Sequence, residues 1–574
     1  MPSHRTAGNV LWQSLAFIIV CAFFLAAVRA NLDLTDGRFA LFMDERITFD
    51  GVRRVLHPKD FDSLLWAIAD GGDQRYGRIL WNATALASFL PEMLWGAAGQ
   101  IIASRMLETF VLLAAFLVFA FGLVRSWPLR LALLASLLAM PYTDYYMTMP
   151  KPEPLQLLFL AIFSVCHLRR NSRFGSHWLF LGLAFGAKIS ALPAILVFGA
   201  ASFLAACRDR GYLEAFEQSL AAMLYLLAGF TIAVPIFLES FVLAATGYVL
   251  LVIARTGFRL GVVTQVSMVT LGLVYIFMEH QEAFEVWVSQ TVLNTAHGAD
   301  RASVNAWSWA YYFFQDWLAA PAGVGAAAFG LAAAFVAINT ADLWRRDAEA
   351  SSQKALGLAL VAAGAAWNLA IFLAAHRLWG LYLFPGSALA LAGLLTLADA
   401  SINQPGGRIR AIAGYGVAVG AISLAAAYWA PKAFANLDAL AGRTRSNEYR
   451  TQRASYAAIV DFLERHPAPG GRRLQVAYDP ALFNPSTNSR YRIWEFSGPY
   501  TRWNESPDVI VFGTKHTAAG EPVPADSPQY QDYLAEREGY AKFVVGEADP
   551  CPKPRCFRRE LTLPSGGELL VLDK

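Results

Sequence analysis

The sequence predicts an α-helical polytopic membrane protein with a small α/β domain at its C-terminal end. Three observations predict it. Hydrophobic residues make up 56% of the chain and charged residues only 16%, against roughly 25% charged in soluble domains. Apolar runs recur from Val10 to Trp429, many of them close to the ~20 residues that carry a helix across a bilayer. After Pro431 the composition turns polar and mixed. A membrane β-barrel would show short alternating strands instead. A net charge of +3 gives no reason to expect a nucleic-acid partner.

Arginines between the apolar runs set the expected topology, because basic loops stay on the cytoplasmic side. His4 and Arg5, with no acid nearby, place the N-terminus inside. The run 10–28 ends in a weak cleavage sequence, Val28-Arg29-Ala30, and is read as a retained first helix. Residues 31–100 then form a first outer segment. Phe61, Leu64, Leu65, Trp66 and Ile68 recur there at helical spacing among acids, the pattern of helices lying on a membrane surface. The run 79–98 is interrupted by Pro91, Glu92 and Gly96, and is read as a surface or re-entrant helix.

Alternating spans are expected next at 106–124, 131–140, 155–167, 178–188, 191–206, 221–238, 242–253 and 262–278. A polar-aromatic outer loop at 279–317 separates these from spans at 319–338, 355–374, 381–397 and 412–429. With the first helix that makes about 13, an odd number, which puts the C-terminus outside. The shorter spans are expected to be tilted or broken helices inside a bundle. The membrane part is thus 1–430 and the soluble outer domain 431–574. In the latter, 446–465 reads as a helix, and 474–478, 509–512, 543–545, 557–563 and 569–572 as short strands between turn residues.

Titratable residues beside a bilayer are costly without water, a partner or a ligand, so they are the candidates for a site. Asp44 and Glu45 follow the first helix; the plain alternative is solvation of a helix start, with Arg46 as an ion partner. Arg75-Tyr76-Gly77-Arg78 places two arginines around an aromatic at the mouth of an apolar helix. Such arginines grip a phosphate bidentately or simply snorkel. Residues 142–154 form an outer loop carrying Asp144, Lys151 and Glu153. Lys151 and Lys188 are the only lysines between Lys59 and Lys354. A lysine embedded like Lys188 needs an anion, either a carboxylate of this protein or a ligand phosphate. His297 and Asp300 lie in the late outer loop, ahead of Trp307, Trp309, Tyr311 and Tyr312; these aromatics fit an interface belt. His376 and Arg377, at an outer helix end, precede Tyr382. Cys551 and Cys556 in the polar tail form a possible disulfide, which implies an oxidising compartment. A metal site there lacks a second Cys or His pair at zinc spacing. No phosphate-binding glycine loop is present to drive a pump.

In order along the chain, these pieces resemble the GT-C superfamily of integral-membrane glycosyltransferases. The nearest branch contains the protein O-mannosyltransferases and the bacterial lipid A aminoarabinose transferase. The shared order is Asp44-Glu45 after helix 1, a surface segment from Arg75 to Trp95 leading to Ser104-Arg105, Lys151-Pro152-Glu153, Gly182 with Lys188, the Tyr382-Leu383-Phe384-Pro385 turn, and an outer C-terminal domain. It covers roughly residues 8–430. The sequence departs from the lipid A branch at Arg75–Arg78, where that branch has a proline-rich stretch. The resemblance implies transfer with inversion from a polyprenyl-phosphate sugar to a lipid, glycan or protein acceptor at the outer face of a bacterial inner membrane. Asp44 would be the base, supported by Glu45. Arg75, Arg78, Lys188 and Lys151 would meet the donor phosphate, and the remaining candidates the sugar or acceptor. No metal or other cofactor is expected. A transporter or flippase of a lipid-linked saccharide is the rival reading, although the chain lacks the paired broken helices of two matching halves.

Overall fold

The structure is a computed structural model. It describes residues 3–33, 45–69, 78–170, 174–233, 313, 322–343, 352–374, 380–403, 408–442, 447–478, 490–495, 507–513, 538–546, 549–551 and 555–573. The expected spans at 242–253 and 262–278 lie outside these residues, as does nearly all of the loop 279–317.

The helices, in chain order, are α1 (Ser3–Asp33), α2 (Glu45–Leu56), α3 (Phe61–Ala69), α4 (Arg78–Trp95), α5 (Ala97–Leu123), α6 (Trp127–Leu138), α7 (Thr143–Tyr146), α8 (Pro152–Arg169), α9 (Trp178–Ala187), α10 (Leu192–Arg210) and α11 (Tyr212–Ala233). They continue as α12 (Ala322–Leu343), α13 (Ser352–Ala374), α14 (Phe384–Asn403), α15 (Arg408–Leu424), α16 (Ala430–Gly442) and α17 (Asn447–Arg465). Six stretches among the described residues are long and apolar enough to cross a membrane: 10–32, 97–123, 192–210, 352–373, 381–403 and 411–442. The protein is a multi-pass helical membrane protein. Helices α6 and α9 are apolar but short, as the tilted or broken spans were expected to be.

Burial separates centre from rim. The stretch 381–403 is 78% buried and 10–32 only 17%, so α14 lies in the bundle interior and α1 at its edge. The exposed residues of α1 (Leu11, Phe17, Ile18, Leu25) are the ones a lipid-facing helix would present. Between helices in lipid there is no water to expel, so association depends on close packing. Helices α9 and α11 meet in this way. A Cβ on Gly182 would lie 1.9 Å from the Leu226 carbonyl oxygen, and one on Gly229 would lie 2.0 Å from that of Leu179.

Helix α5 begins at Ala97, nine residues before the expected span, because the break falls at Gly96 in a positive-φ conformation (φ 63°) that favours glycine. Helix α4 runs unbroken through Pro91. It presents Leu86, Phe89, Leu90, Met93 and Leu94 outward at helical spacing. It turns Leu80, Trp81, Thr84, Ala85 and Ser88 inward. Trp81 lies on Gly51 of α2, where a Cβ would be 2.4 Å from the indole. Ser88 Oγ donates to the Gln100 carbonyl of α5 at 3.4 Å. Helix α4 therefore lies along α2 and the start of α5.

Helix α15 passes through one π-helical stretch, Ala425–Trp429, into α16. Helix α16 runs across residue 431 and packs on α1, α6 and α7. Its Asn436 Nδ2 donates to the carbonyls of Leu138 (2.7 Å) and Met140 (3.1 Å), which end α6.

The last residues form a five-stranded sheet in the order β2-β1-β3-β5-β4. The strands are β1 (Leu474–Tyr478), β2 (Tyr491–Glu495), β3 (Val509–Phe512), β4 (Cys556–Thr562) and β5 (Glu568–Asp573). Strands β2, β1 and β3 are parallel, while β5 and β4 add antiparallel. Side chains alternate across the sheet as strand geometry requires. Val476, Tyr478, Val509 and Val511 pack with Ile459, Phe462 and Leu463 of α17, and Ala477, Ile510 and Phe512 pack with Tyr540 and Phe557. Two expectations are corrected. Residues 543–545 form no strand, only one bridge to Phe557: the Phe543 carbonyl and Val545 N–H pair with Phe557, while the Phe543 and Val544 N–H groups close turns onto Tyr540 and Ala541. Strand β2 was not expected at all.

Candidate functional site

Asp44, Arg75, Tyr76, His297, Asp300, His376 and Arg377 lie outside the described residues. Glu45, Arg78, Asp144, Lys151, Glu153, Lys188 and Tyr382 lie within them.

Glu45 opens α2. Arg105, in α5, donates from Nε to Oε1 at 2.6 Å and from its terminal nitrogen to Oε2 at 2.8 Å. The side chains are 3% and 1% exposed, so this is a two-pronged ion pair out of water. One turn along α2, the Phe49 carbonyl accepts from Gln100 Nε2 at 3.2 Å. These two contacts fix α2 against α5. A crevice with room for about one water molecule is lined by Glu45, Thr48, Phe49, Ile101, Ser104 and Pro150.

Pro150 ends the loop between α7 and α8, which neighbouring helices hold by its backbone. The Met147 carbonyl accepts from Thr109 Oγ1 (2.6 Å) and Asn31 Nδ2 (3.3 Å). Lys151, buried, is the N-cap of α8, with prolines following at 152 and 154. Its backbone N–H donates to the carboxylate of Glu108. Glu153, one residue into α8, accepts from Lys188 Nζ. Lys188 ends α9 in an extended conformation. Gln156 of α8 holds that end by donating to the Lys188 and Ala184 carbonyls. The Lys188 ammonium also lies 5.8 Å from the ring centre of Tyr382. The turn carrying Tyr382 is fixed by Trp367 Nε1, which donates to the Tyr382 carbonyl, and by the Tyr146 hydroxyl, which donates to that of Leu381.

The structure thus brings together Glu153, Lys188 and Tyr382, with Lys151 through Glu108. It joins Glu45 to them along α5, because Arg105 and Glu108 are three residues apart and share a helix face. Arg78 is placed differently: its guanidinium stacks on Trp81 at 4.5 Å. Asp144 is half-buried on α7. Lys188 has a carboxylate of this protein beside it, one of the two anions its position calls for. Sequence reasoning assigns no role to Arg105 or Glu108, although two charges inside a 27-residue apolar helix are themselves a signal.

At the opposite end of α5 the polar groups serve the framework. Asp399, fully buried in α14, accepts from the backbone N–H groups of Arg125 and Ser126 and from Gln353 Nε2, all at 2.9–3.0 Å. In the sheet, Cys551 and Cys556 are joined in a disulfide. Asp573 lies near both sulfurs but is paired with Arg558, so this trio offers no open ligand set.

Fold and site together define a multi-pass helical membrane protein whose ionisable side chains converge from α2, α5, α8 and α9 at one end of the bundle. No family model and no curated protein sequence matches the chain. Among solved structures it is similar to ArnT from Cupriavidus metallidurans bound to undecaprenyl phosphate, with 12% identity, 98% of each chain covered and a TM-score of 0.43. The apo state of that protein gives 13% identity, 99% and 98% coverage, and a TM-score of 0.43. The apo oligosaccharyltransferase of Archaeoglobus fulgidus gives 14% identity over 80% of this chain and 62% of that one, with a TM-score of 0.41. These likenesses assign no residue and no substrate to this chain.

Proposed function

We propose that the protein is an inverting glycosyltransferase. It would move a sugar from a polyprenyl-phosphate donor to a lipid, glycan or protein acceptor at the outer face of a bacterial inner membrane. The observation that carries this reading is the buried Glu45–Arg105 pair. It anchors the residue next to Asp44 at the end of the bundle where Lys188 also lies. Glu45, engaged by both oxygens, serves as the anchor, and Asp44 serves as the base.

In this reading an acceptor hydroxyl attacks the anomeric carbon on the face opposite the phosphate. The new C–O bond forms as the bond to the phosphate oxygen breaks, and the hydroxyl proton passes to Asp44. The leaving phosphate gains charge and is met by Lys188, with Arg75, Arg78 and Lys151 as further cations. Such stabilisation is strongest where water is excluded. Glu153 yields Lys188 when the donor arrives. Tyr382, Tyr76, Asp144, His297, Asp300, His376 and Arg377 are assigned to the sugar and acceptor. No step calls on a metal or other cofactor.

The test is transfer by purified protein offered a panel of polyprenyl-phosphate sugars, with membrane extract as acceptor. Product from wild type and none from Asp44→Asn supports the reading. No product from any donor, together with saccharide-lipid binding that Asp44→Asn does not alter, supports the transporter.

A further inference from the structure

The ends of α8 and α9 that lie away from Lys188 carry side chains for which the proposed reaction has no use. His167, in the last turn of α8, and His177, just before α9, face each other. Nδ1 of His167 and Nε2 of His177 are 2.8 Å apart. The two residues are 2% and 3% exposed. Phe163 stacks on both imidazoles, with ring centres 5.2 and 5.4 Å away. The second nitrogen of His177, Nδ1, is buried and, among the described residues, has no hydrogen-bond partner. A Cβ on Gly175 would lie 3.4 Å from this Nδ1 and 2.9 Å from Nη1 of Arg170. The two nitrogens therefore border one spot, beside a residue with no side chain to fill it. Arg170 follows α8 as its exposed C-cap. Among the described residues its guanidinium has no hydrogen bond or ion pair. A buried nitrogen without a partner is costly, and a ligand that bonds both groups removes that deficit.

We propose that Arg170 and His177 form a binding site for a phosphate group, at the opposite end of α8 and α9 from Lys188. Arg170 grips the phosphate oxygens with its planar fork, and His177 donates to another from Nδ1–H. His167 is a positioning residue. By donating from its own Nδ1 to Nε2 of His177, it fixes the tautomer that keeps the His177 proton on Nδ1. The one positive charge of Arg170 meets the one negative charge of a phosphodiester. The 18 residues of α8 extend about 27 Å at ~1.5 Å per residue, close to the ~30 Å of hydrocarbon in a bilayer. With Lys188 at one head-group level, Arg170 and His177 reach the other. On the topology that the arginines predict, this second level is cytoplasmic. A phospholipid head group and a phosphate in solution both present the required chemistry. Occupation of the site does not depend on transferase activity.

Native mass spectrometry of the full-length protein in a maltoside detergent, which carries no phosphate, tests the site. Phosphatidylglycerol is titrated into wild type, Arg170→Gln, His177→Phe and Arg169→Gln. The first two variants each remove one proposed contact, and phenylalanine keeps a ring in the packing. The third removes only the neighbouring charge. Wild type and Arg169→Gln are expected to bind one lipid with equal affinity. Arg170→Gln and His177→Phe should bind it at least about tenfold more weakly, the worth of one hydrogen bond to a charged group. Inorganic phosphate, followed by thermal unfolding in the same detergent, separates the two sources. A raised midpoint in wild type that Arg170→Gln abolishes assigns the site to phosphate in solution. An unchanged midpoint, with the lipid result as expected, assigns it to a head group. Equal lipid affinity in wild type and Arg170→Gln, with no response to inorganic phosphate, overturns the proposal. So does wild-type affinity in folded His177→Phe. A loss in Arg169→Gln as large as that in Arg170→Gln also overturns it, because it would show a diffuse basic surface. Arg170 is exposed, so Arg170→Gln decides the matter even where His177→Phe fails to fold.

Discussion

Arg105 grips Glu45 with two hydrogen bonds, 2.6 and 2.8 Å long, across 60 residues of sequence. The pair joins a membrane-crossing helix to the short helix that starts at Glu45, one residue after the proposed base Asp44. Removing one member takes a two-pronged partner from a charge held out of water, and breaking a buried pair in this way costs about 3–5 kcal/mol. Arg105→Leu is therefore expected to lower the detergent melting temperature sharply, and adding Glu45→Gln should recover part of the loss. A double variant no more stable than the single one would show that the pair is not an isolated unit.

The contact of α9 with α11 gives a second prediction. Gly182→Val and Gly229→Val each force a side chain against a facing carbonyl. Overpacking of this kind costs about 1–3 kcal/mol. Thermal unfolding in detergent should show a lower midpoint for each variant; an unchanged midpoint for both would mean that the helices do not meet there.

Asp399 predicts a separation of stability from chemistry. Asp399→Asn leaves an acceptor for only part of the set Arg125, Ser126 and Gln353, and costs about 1–3 kcal/mol. The donor KM should stay near wild type, because this latch is at the other end of α5. A donor KM shifted as far as that of a Lys188 variant would contradict the placement.

Asp60 and Ser63 start α3 by reciprocal bonds: the Ser63 N–H donates to the Asp60 carboxylate at 2.7 Å, and the Asp60 N–H to the Ser63 hydroxyl at 2.9 Å. These backbone and side-chain bonds from Ser63 hold the Asp60 carboxyl below its usual range. A depressed carboxyl contributes stability that is full above its unfolded pKa of about 3.9 and is lost as pH falls through the lower folded value. The cap is thus fully ionised at neutral pH. Asp60→Ala should speed amide exchange over 61–69 at pH 7, and wild type should keep its protection down to pH 5.

The disulfide has a direct chemical check. Alkylation of the denatured, unreduced chain should modify Cys21, Cys166 and Cys207, with Cys551 and Cys556 reacting only after reduction. Five modified cysteines before reduction would contradict the bond.

The apolar runs were legible because lipid imposes one simple requirement, and α13 and α14 meet it near the expected bounds, whereas α9 holds only ten residues. The start of α5 was less legible: hydropathy located the span, while the true beginning was set by the backbone freedom of Gly96. Strand β2 escaped notice because Arg492 and Glu495 make it read as a loop, although Tyr491 and Ile493 are the buried positions of an alternating edge strand. At the site, Lys188 announced that it required an anion, and only packing of α8 on α9 could reveal Glu153 as one. Arg105 and Glu108 were visible as charges, but their partners are supplied by residues far along the chain.

The helix that runs from 411 to 442 has a consequence for helix register. At 1.5 Å per residue its 32 residues extend about 48 Å, well beyond the ~30 Å of hydrocarbon. A helix of that length tilts, kinks or extends past the lipid tails, and Asn436, near its end, fastens it to the Leu138 and Met140 carbonyls where α6 ends. That fastening fixes the register of this long helix against α6.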